Sequence, residues 1–206
     1  MTDKYIFVTG APGSKWSSVV KNIYFSADID HSDYTNERTY CHDKDAPHEI
    51  MHFGAYFDPG MEFGNEFYRL NDFEKQEAEA EFNRPFSGTG KRIIKSHTIA
   101  HHLDYIKENW PECSIVLIHR DNDNCLKTWV KAGGADIGYP NYKYFAESMV
   151  DHIRRQNQDI LDFINRKNGI FNIMNNLDLC DALGIAYPSD EYRQDYNWTE
   201  VKVAVL

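Results

Sequence analysis

The stretch Tyr5-Ile6-Phe7-Val8-Thr9-Gly10-Ala11-Pro12-Gly13-Ser14-Lys15-Trp16-Ser17-Ser18 decides how the chain folds. Its apolar start predicts a short buried strand, Gly10 to Lys15 a glycine-rich turn, and residues 16–25 a helix. A strand that turns through glycine into a helix aims backbone N–H groups and the positive end of the helix dipole at one point. Lys15 adds a full charge there, and the point suits an anion. A second apolar run, Ser114 to His119, ends at Arg120, with Thr128 eight residues later on a helix predicted over 122–132. A guanidinium fork and a hydroxyl at that spacing can grip one phosphate. The two loops together predict a ligand with a phosphate at each end.

Outward from these loops the chain alternates. Strands are predicted at 92–96, 114–119, 170–174 and 201–206, and helices at 71–82, 99–109, 122–132, 142–166 and 177–183. The 142–166 helix carries Phe145, Met149, Ile153, Ile160, Leu161 and Ile164 on an apolar stripe, and the last helix is closed by Gly184 and followed by Pro188. Such alternation predicts an α/β fold, a three-layer α/β/α arrangement with a central parallel sheet. The 206 residues fit one domain, 1–206, without repeat or linker. Residues 26–68, rich in Asp, His, Tyr and Gly, show no periodicity and are too long for a plain connector. They are expected to cover a substrate pocket.

Composition narrows the partners. With 42% hydrophobic and 14% aromatic residues the chain reads as globular, and its apolar runs fall far short of a membrane span. The short apolar stretch after Lys4 holds the phosphate loop rather than a signal-peptide core, which predicts a cytoplasmic protein with no membrane partner. Cys41, Cys113, Cys125 and Cys180 show no CxxC pair, and free thiols are expected. A net charge of -10 repels nucleic acid over most of the surface, so anion binding must rest on local cations. His31, His42, His48 and His52 share the irregular region, but their spacings fit no standard zinc pattern, and no metal is expected.

Two families are similar at these motifs. Gly10-Ala11-Pro12-Gly13-Ser14-Lys15 resembles the Walker A loop of nucleotide kinases with one glycine missing, but Trp16 stands where magnesium-dependent chemistry needs Ser or Thr. The second resemblance covers more of the chain. Arg120 and Thr128 resemble the arginine and serine that bind the 3'-phosphate in sulfotransferases using 3'-phosphoadenosine-5'-phosphosulfate (PAPS). Arg92-Ile93-Ile94-Lys95-Ser96-His97 resembles that family's strand ending in Lys-Thr-His, and 176–188 resembles its terminal helix and turn. Against the family's Pro-Lys-Ser-Gly-Thr-Thr loop, aligned on Pro12 and Ser14, Gly13 takes the lysine position, Lys15 lies two further on, and Ser17 takes a threonine position. The chain has no counterpart of the family's C-terminal Arg-Lys-Gly segment, and Arg193 or Lys202 is the candidate to substitute for it.

The resemblance implies a P-loop NTPase-like fold and transfer of a sulfuryl group from PAPS to a hydroxyl or amine of a small organic acceptor. It implies a catalytic role for His97 as general base, with Lys95 assisting at the bridging oxygen, while a catalytic role for Lys15 as a cation is inferred from its place at the loop and not matched to the family. Binding of PAPS, and of its product 3'-phosphoadenosine-5'-phosphate (PAP), would fall to Gly10, Ala11, Pro12, Gly13, Ser14, Lys15, Trp16, Ser17, Ser18, Arg120 and Thr128. The acceptor would meet Tyr34, Tyr40, His48, His52, Phe53, Tyr56, Phe57 or Phe63. A small-molecule or nucleotide kinase and a non-catalytic nucleotide-binding protein stand as the alternatives. For Arg120 the plainer reading is an ion pair with Asp121 or Asp123.

Overall fold

A computed structural model describes residues 4–34, 40–41, 50–52, 64–134, 142–172, 176–189 and 200–206, with backbone only at 40–41, 50–52, 64–67 and 176. In chain order the elements are β1 (Tyr5–Gly10), α1 (Trp16–Tyr24), β2 (Tyr40–Cys41), β3 (Ile50–His52), α2 (Lys75–Asn83) and β4 (Arg92–Lys95). There follow α3 (Leu103–Asn109), β5 (Ser114–His119), α4 (Asn122–Lys131), α5 (Met149–Arg166), α6 (Asn176–Leu183) and β6 (Lys202–Val205).

The strand period of two sorts the side chains of β1 to opposite faces of one sheet. Tyr5 and Phe7 join Ile94, Ile115 and Leu117 in a core closed by Phe82 of α2, Leu103 and Ile106 of α3, and Ile160 and Phe163 of α5. Ile6 and Val8 join Ile93, Val116 and Ile118 in a second core, closed by Val19, Val20 and Ile23 of α1 and Leu179 and Leu183 of α6. Helices therefore cover both faces, in three layers. All six β1 residues are buried, which explains why the run is apolar without alternation.

The strand order is β4-β1-β5-β6. β1 runs parallel to β4, with Val8 opposite Lys95, and parallel to β5, with Gly10 opposite Ile118. The three loops that leave the C-terminal ends of β4, β1 and β5 consequently lie side by side, where ligands of open α/β sheets collect. β6 pairs antiparallel with β5, His119 opposite Lys202, so the central sheet is mixed and not the all-parallel sheet expected. The reason is positional. Glu200 lies against Arg120, at the C-terminal end of β5, and a strand that starts there can only run back down.

Two long predicted helices are interrupted. In place of 142–166, a 3-10 turn at Tyr142–Tyr144 precedes α5, because the Ser148 hydroxyl accepts the Asp151 N–H at 3.1 Å and starts the helix there. In place of 71–82, a 3-10 stretch at Gly64–Asp72 precedes α2, whose Glu77 carboxylate accepts the Glu74 N–H at 3.0 Å. A 3-10 turn, Thr98–His102, also opens the segment expected as helix 99–109. Of the strand expected at 170–174, Asn172 makes a two-hydrogen-bond bridge to Val203, and 173–174 lie outside the described residues. Cys113, Cys125 and Cys180 are buried and not joined in disulfides, and burial pushes the Cys125 thiol up to about 12. The Cys41 side chain lies outside the described residues. No helix among the described residues is long and apolar enough to cross a membrane.

A group of histidines packs between the segment after β4 and α5, the His101 and His152 ring centres 5.8 Å apart. His152 of α5 is fully buried with neither ring nitrogen hydrogen-bonded, and His102 Nδ1 donates to Asn71 Oδ1 at 2.8 Å while its Nε2 is buried without a partner. Burial first, then the charge of His101, lowers the His102 pKa to about 4 and that of His152 to about 2, from an ordinary 6.5. Both are neutral in the folded chain, whereas the unfolded chain binds a proton at each below pH 6.5. Stability should therefore be unaffected by these two groups above pH 7 and fall as the pH drops below about 6.5. The loss is about 1.4 kcal/mol per pH unit for each proton, with both contributing down to pH 4. Denaturant titrations between pH 7.5 and 4.5 check this, and His152→Phe should remove one proton from the slope. An unchanged slope in that variant would exclude His152.

Candidate functional site

β1 delivers the chain into the loop at Gly10, and the loop is shaped by contact with α4. The Ser14 N–H closes a turn on the Ala11 carbonyl at 2.9 Å, and Gly13 has φ 77°. A Cβ at Gly13 would lie 2.0 Å from the Cys125 carbonyl oxygen, so no side chain fits there. Ala11, Pro12, Ser14, Trp16 and Ser18 are buried, and Gly13 and Ser17 half-buried. The Ser14 hydroxyl is buried without a hydrogen-bond partner. Lys15 is exposed and sits at the start of α1 with left-handed backbone, φ 67°. The first turn of α1 has no acidic residue and no side-chain cap, so its positive end is offset by nothing on the helix itself.

β4 brings His97 to the same loop. The His97 Nδ1 is 2.6 Å from the Gly10 carbonyl oxygen. A carbonyl only accepts, so Nδ1 carries a proton, and in the neutral ring the lone pair is on Nε2. The His97 carbonyl in turn accepts from Thr9 Oγ1 at 3.2 Å and from the Gln156 amide of α5. The Trp16 ring meets the imidazole edge-on at 4.9 Å. Backbone and side chain of His97 are thus fixed from β1, α1 and α5.

Lys95, two residues earlier, is 2% exposed and points to the α1 layer, its ammonium 5.5 Å from the centre of the Tyr24 ring. Burial lowers its pKa to about 8, against an opposing pull from Asp33. The Tyr24 hydroxyl donates to Asp33 Oδ1 at 2.6 Å, and burial together with that carboxylate pushes the phenol up. Tyr24 and Asp33 carry no sequence signal. One reads as a helix residue, and the other lies in the irregular region.

On the other side of the loop stands Arg120, 6% exposed. Its Nη1 donates to Thr128 Oγ1 at 2.6 Å, to the Gly13 carbonyl at 3.1 Å and to the Asn124 carbonyl at 3.3 Å. Its Nη2 donates to Glu200 Oε2 at 2.7 Å, and its Nε–H is buried without a partner. Arg120 and Thr128 are therefore together, as their spacing predicts. The ion pair expected with Asp121 or Asp123 is replaced by one with Glu200. Asp121 is engaged instead as the cap of α4, accepting the Asn124 N–H at 2.9 Å, which holds its carboxyl below the usual range. Glu200 lies eighty residues away and could not have been found by spacing. Asn157, equally unforeseen, donates to the Arg120 carbonyl at 2.9 Å.

The expected acceptor region is described in part. Tyr34 is 39% exposed, Tyr40 and His52 stand opposite each other on the β2-β3 ribbon, and His48, Phe53, Tyr56, Phe57 and Phe63 lie outside the described residues. Ser32 anchors the start of this region, its hydroxyl accepting the Ser87 N–H at 2.8 Å and the Gly88 N–H at 2.9 Å. Arg193 also lies outside the described residues, and Lys202 is exposed on β6. Among the described residues no group of three His, Cys, Asp or Glu side chains is arranged to hold a metal ion. Comparisons with protein-family models, curated proteins and solved structures found no match to this chain.

The left-handed backbone at Lys15 separates its two possible effects. A non-glycine residue there costs roughly 1–2 kcal/mol, against about 0.4–1 kcal/mol for the unfolded-chain entropy of glycine. Lys15→Gly should therefore raise stability by about 0.5–1 kcal/mol while removing the charge, and Lys15→Ala should remove the charge without that gain. Both should lose affinity for anions at the loop. Denaturant unfolding and calorimetric anion titration would check the pair, and a destabilised Lys15→Gly would contradict the backbone assignment.

Proposed function

We propose that the chain is a PAPS-dependent sulfotransferase acting on a hydroxyl or amine of a small organic acceptor in the cytoplasm. One observation carries the reading. A histidine in its basic tautomer and a buried arginine paired with a helix hydroxyl flank the same loop, through the Gly10 and Gly13 carbonyls. The loop itself fits an anion, with an unpartnered buried Ser14 hydroxyl, an exposed Lys15 and the start of α1. Its departures from the family loop also have a physical account. The α4 backbone leaves no room for the lysine side chain at Gly13, and the left-handed Lys15 stands where that motif has its glycine.

PAPS supplies an activated sulfuryl group whose sulfur is attacked by the acceptor. In this reading His97 Nε2 takes the acceptor proton as the new bond to sulfur forms. The sulfur–oxygen bond to the 5'-phosphate breaks and leaves its electron pair on the phosphate. Lys15, the loop N–H groups and the α1 N-terminus offset that charge, and Lys95 is the second cation at this side of the sheet. Arg120 and Thr128 hold the 3'-phosphate. The buried indole of Trp16 in place of a magnesium-binding hydroxyl weighs against the kinase alternative.

Binding tests the donor. PAP should bind without magnesium and more tightly than 5'-AMP or ATP-Mg, and calorimetry or thermal shift would detect it. Arg120→Ala should cost roughly 1.5–3 kcal/mol of PAP affinity and erase the preference over 5'-AMP. Equal affinities of the wild type for PAP and 5'-AMP would sink the reading.

Turnover tests the base. With an acceptor found by screening phenols, alcohols and amines, His97→Ala should bind PAP as the wild type does but transfer sulfuryl roughly a hundredfold more slowly or worse. Wild-type turnover in that variant would remove His97 from the role.

A further inference from the structure

We propose that Glu200 is a built-in competitor for the Arg120 seat, a carboxylate that a phosphate must displace and that thereby sets which anions the seat accepts. The inference rests on the reading of Arg120 and Thr128 as the 3'-phosphate site. The guanidinium is held from behind by the Gly13 and Asn124 carbonyls and the Thr128 hydroxyl, while Glu200 Oε2 closes the remaining corner at 2.7 Å. The two partners are unequally buried. The Arg120 side chain is 7% exposed and that of Glu200 55% exposed, so the arginine is a fixed part of the site and the carboxylate a visitor on its open side. Moving Glu200 away costs little desolvation, because its carboxylate is already half in water.

The backbone that follows Glu200 limits the movement. Val201 is 1% exposed, and Val203 exchanges two hydrogen bonds with Asn172, which pins β6 immediately after Glu200. A side-chain rotation at Glu200 is therefore enough, and the sheet does not have to open. The charge accounting favours phosphate. A carboxylate meets the fork with one charge and, here, one hydrogen bond, and the Arg120 Nε–H remains buried and unpartnered. A phosphate brings greater charge and more acceptor oxygens, enough to use both that N–H and Nη2. Chloride or a monocarboxylate offers no such surplus. Glu200 would thus keep weak anions out of the seat and leave it open to a phosphomonoester.

The experiment is calorimetric titration of PAP, 5'-AMP and inorganic phosphate into the wild type, Glu200→Gln and Glu200→Ala. Each is repeated in a Thr128→Val background, with thermal melts to establish folding. Removing the competing charge should tighten PAP and inorganic phosphate by roughly three- to tenfold and leave 5'-AMP unchanged. It should also let acetate compete with phosphate where it fails against the wild type, and Thr128→Val should shrink the gains. Unchanged or weaker phosphate and PAP binding in both Glu200 variants would overturn the proposal. A gain with inorganic phosphate, without any preference of the wild type for PAP over 5'-AMP, would uphold the Glu200 seat and reject the sulfotransferase reading. A PAP preference in the wild type with no gain in either variant would do the reverse.

Discussion

The buried guanidinium of Arg120 is the constraint around which the C-terminal end of the parallel strands is arranged. A charge removed from water needs compensation, and here it comes from the loop after β1, the start and middle of α4, and Glu200, two residues before β6. Those segments are distant in sequence. The loop and α4 hold the guanidinium from behind through Gly13, Asn124 and Thr128, and the half-exposed Glu200 answers it from the side of the last strand. The same contacts explain why α4 approaches the loop so closely that Gly13 admits no side chain.

A second tie crosses the sheet in the other direction. Because β1 lies between β4 and β5, its terminal residues are within reach of both neighbouring strand ends. The Gly10 carbonyl meets His97, and the Gly13 carbonyl meets Arg120. The loop backbone thus serves as a common reference for a basic imidazole and a cationic fork. That is a preorganised arrangement, in which the tautomer of His97 is decided by a main-chain acceptor and its ring orientation by Trp16. Tyr24, Asp33 and Lys95 add a buried charged group on the α1 side of the sheet.

Much of this was legible in the chain. The unalternating run before Gly10 is what a strand covered on both faces looks like, and it is one of the two interior strands. The spacing of Arg120 and Thr128 on a strand end and a helix was enough to bring them together, since a helix repeats every few residues and returns position 128 to the same side. Ser148 and Asp151 were readable as a helix start. The continuous apolar stripe from Phe145 to Ile164 masked that signal, because periodicity reports burial and not the point at which a backbone N–H finds its cap.

The amino-acid sequence by itself determined the strands β1, β4 and β5, the helices that flank them and the glycine-rich turn after β1, because strand period, helix period and glycine conformation are local properties of the chain. Only the tertiary structure decided that β6 runs antiparallel, that Glu200 and not Asp121 or Asp123 answers Arg120, and that Lys95 turns toward Tyr24 and Asp33. These depend on which distant segments share one volume. A buried charge is satisfied by whatever acceptor packing brings within hydrogen-bond reach, and a separation of eighty residues leaves no periodic trace of that choice.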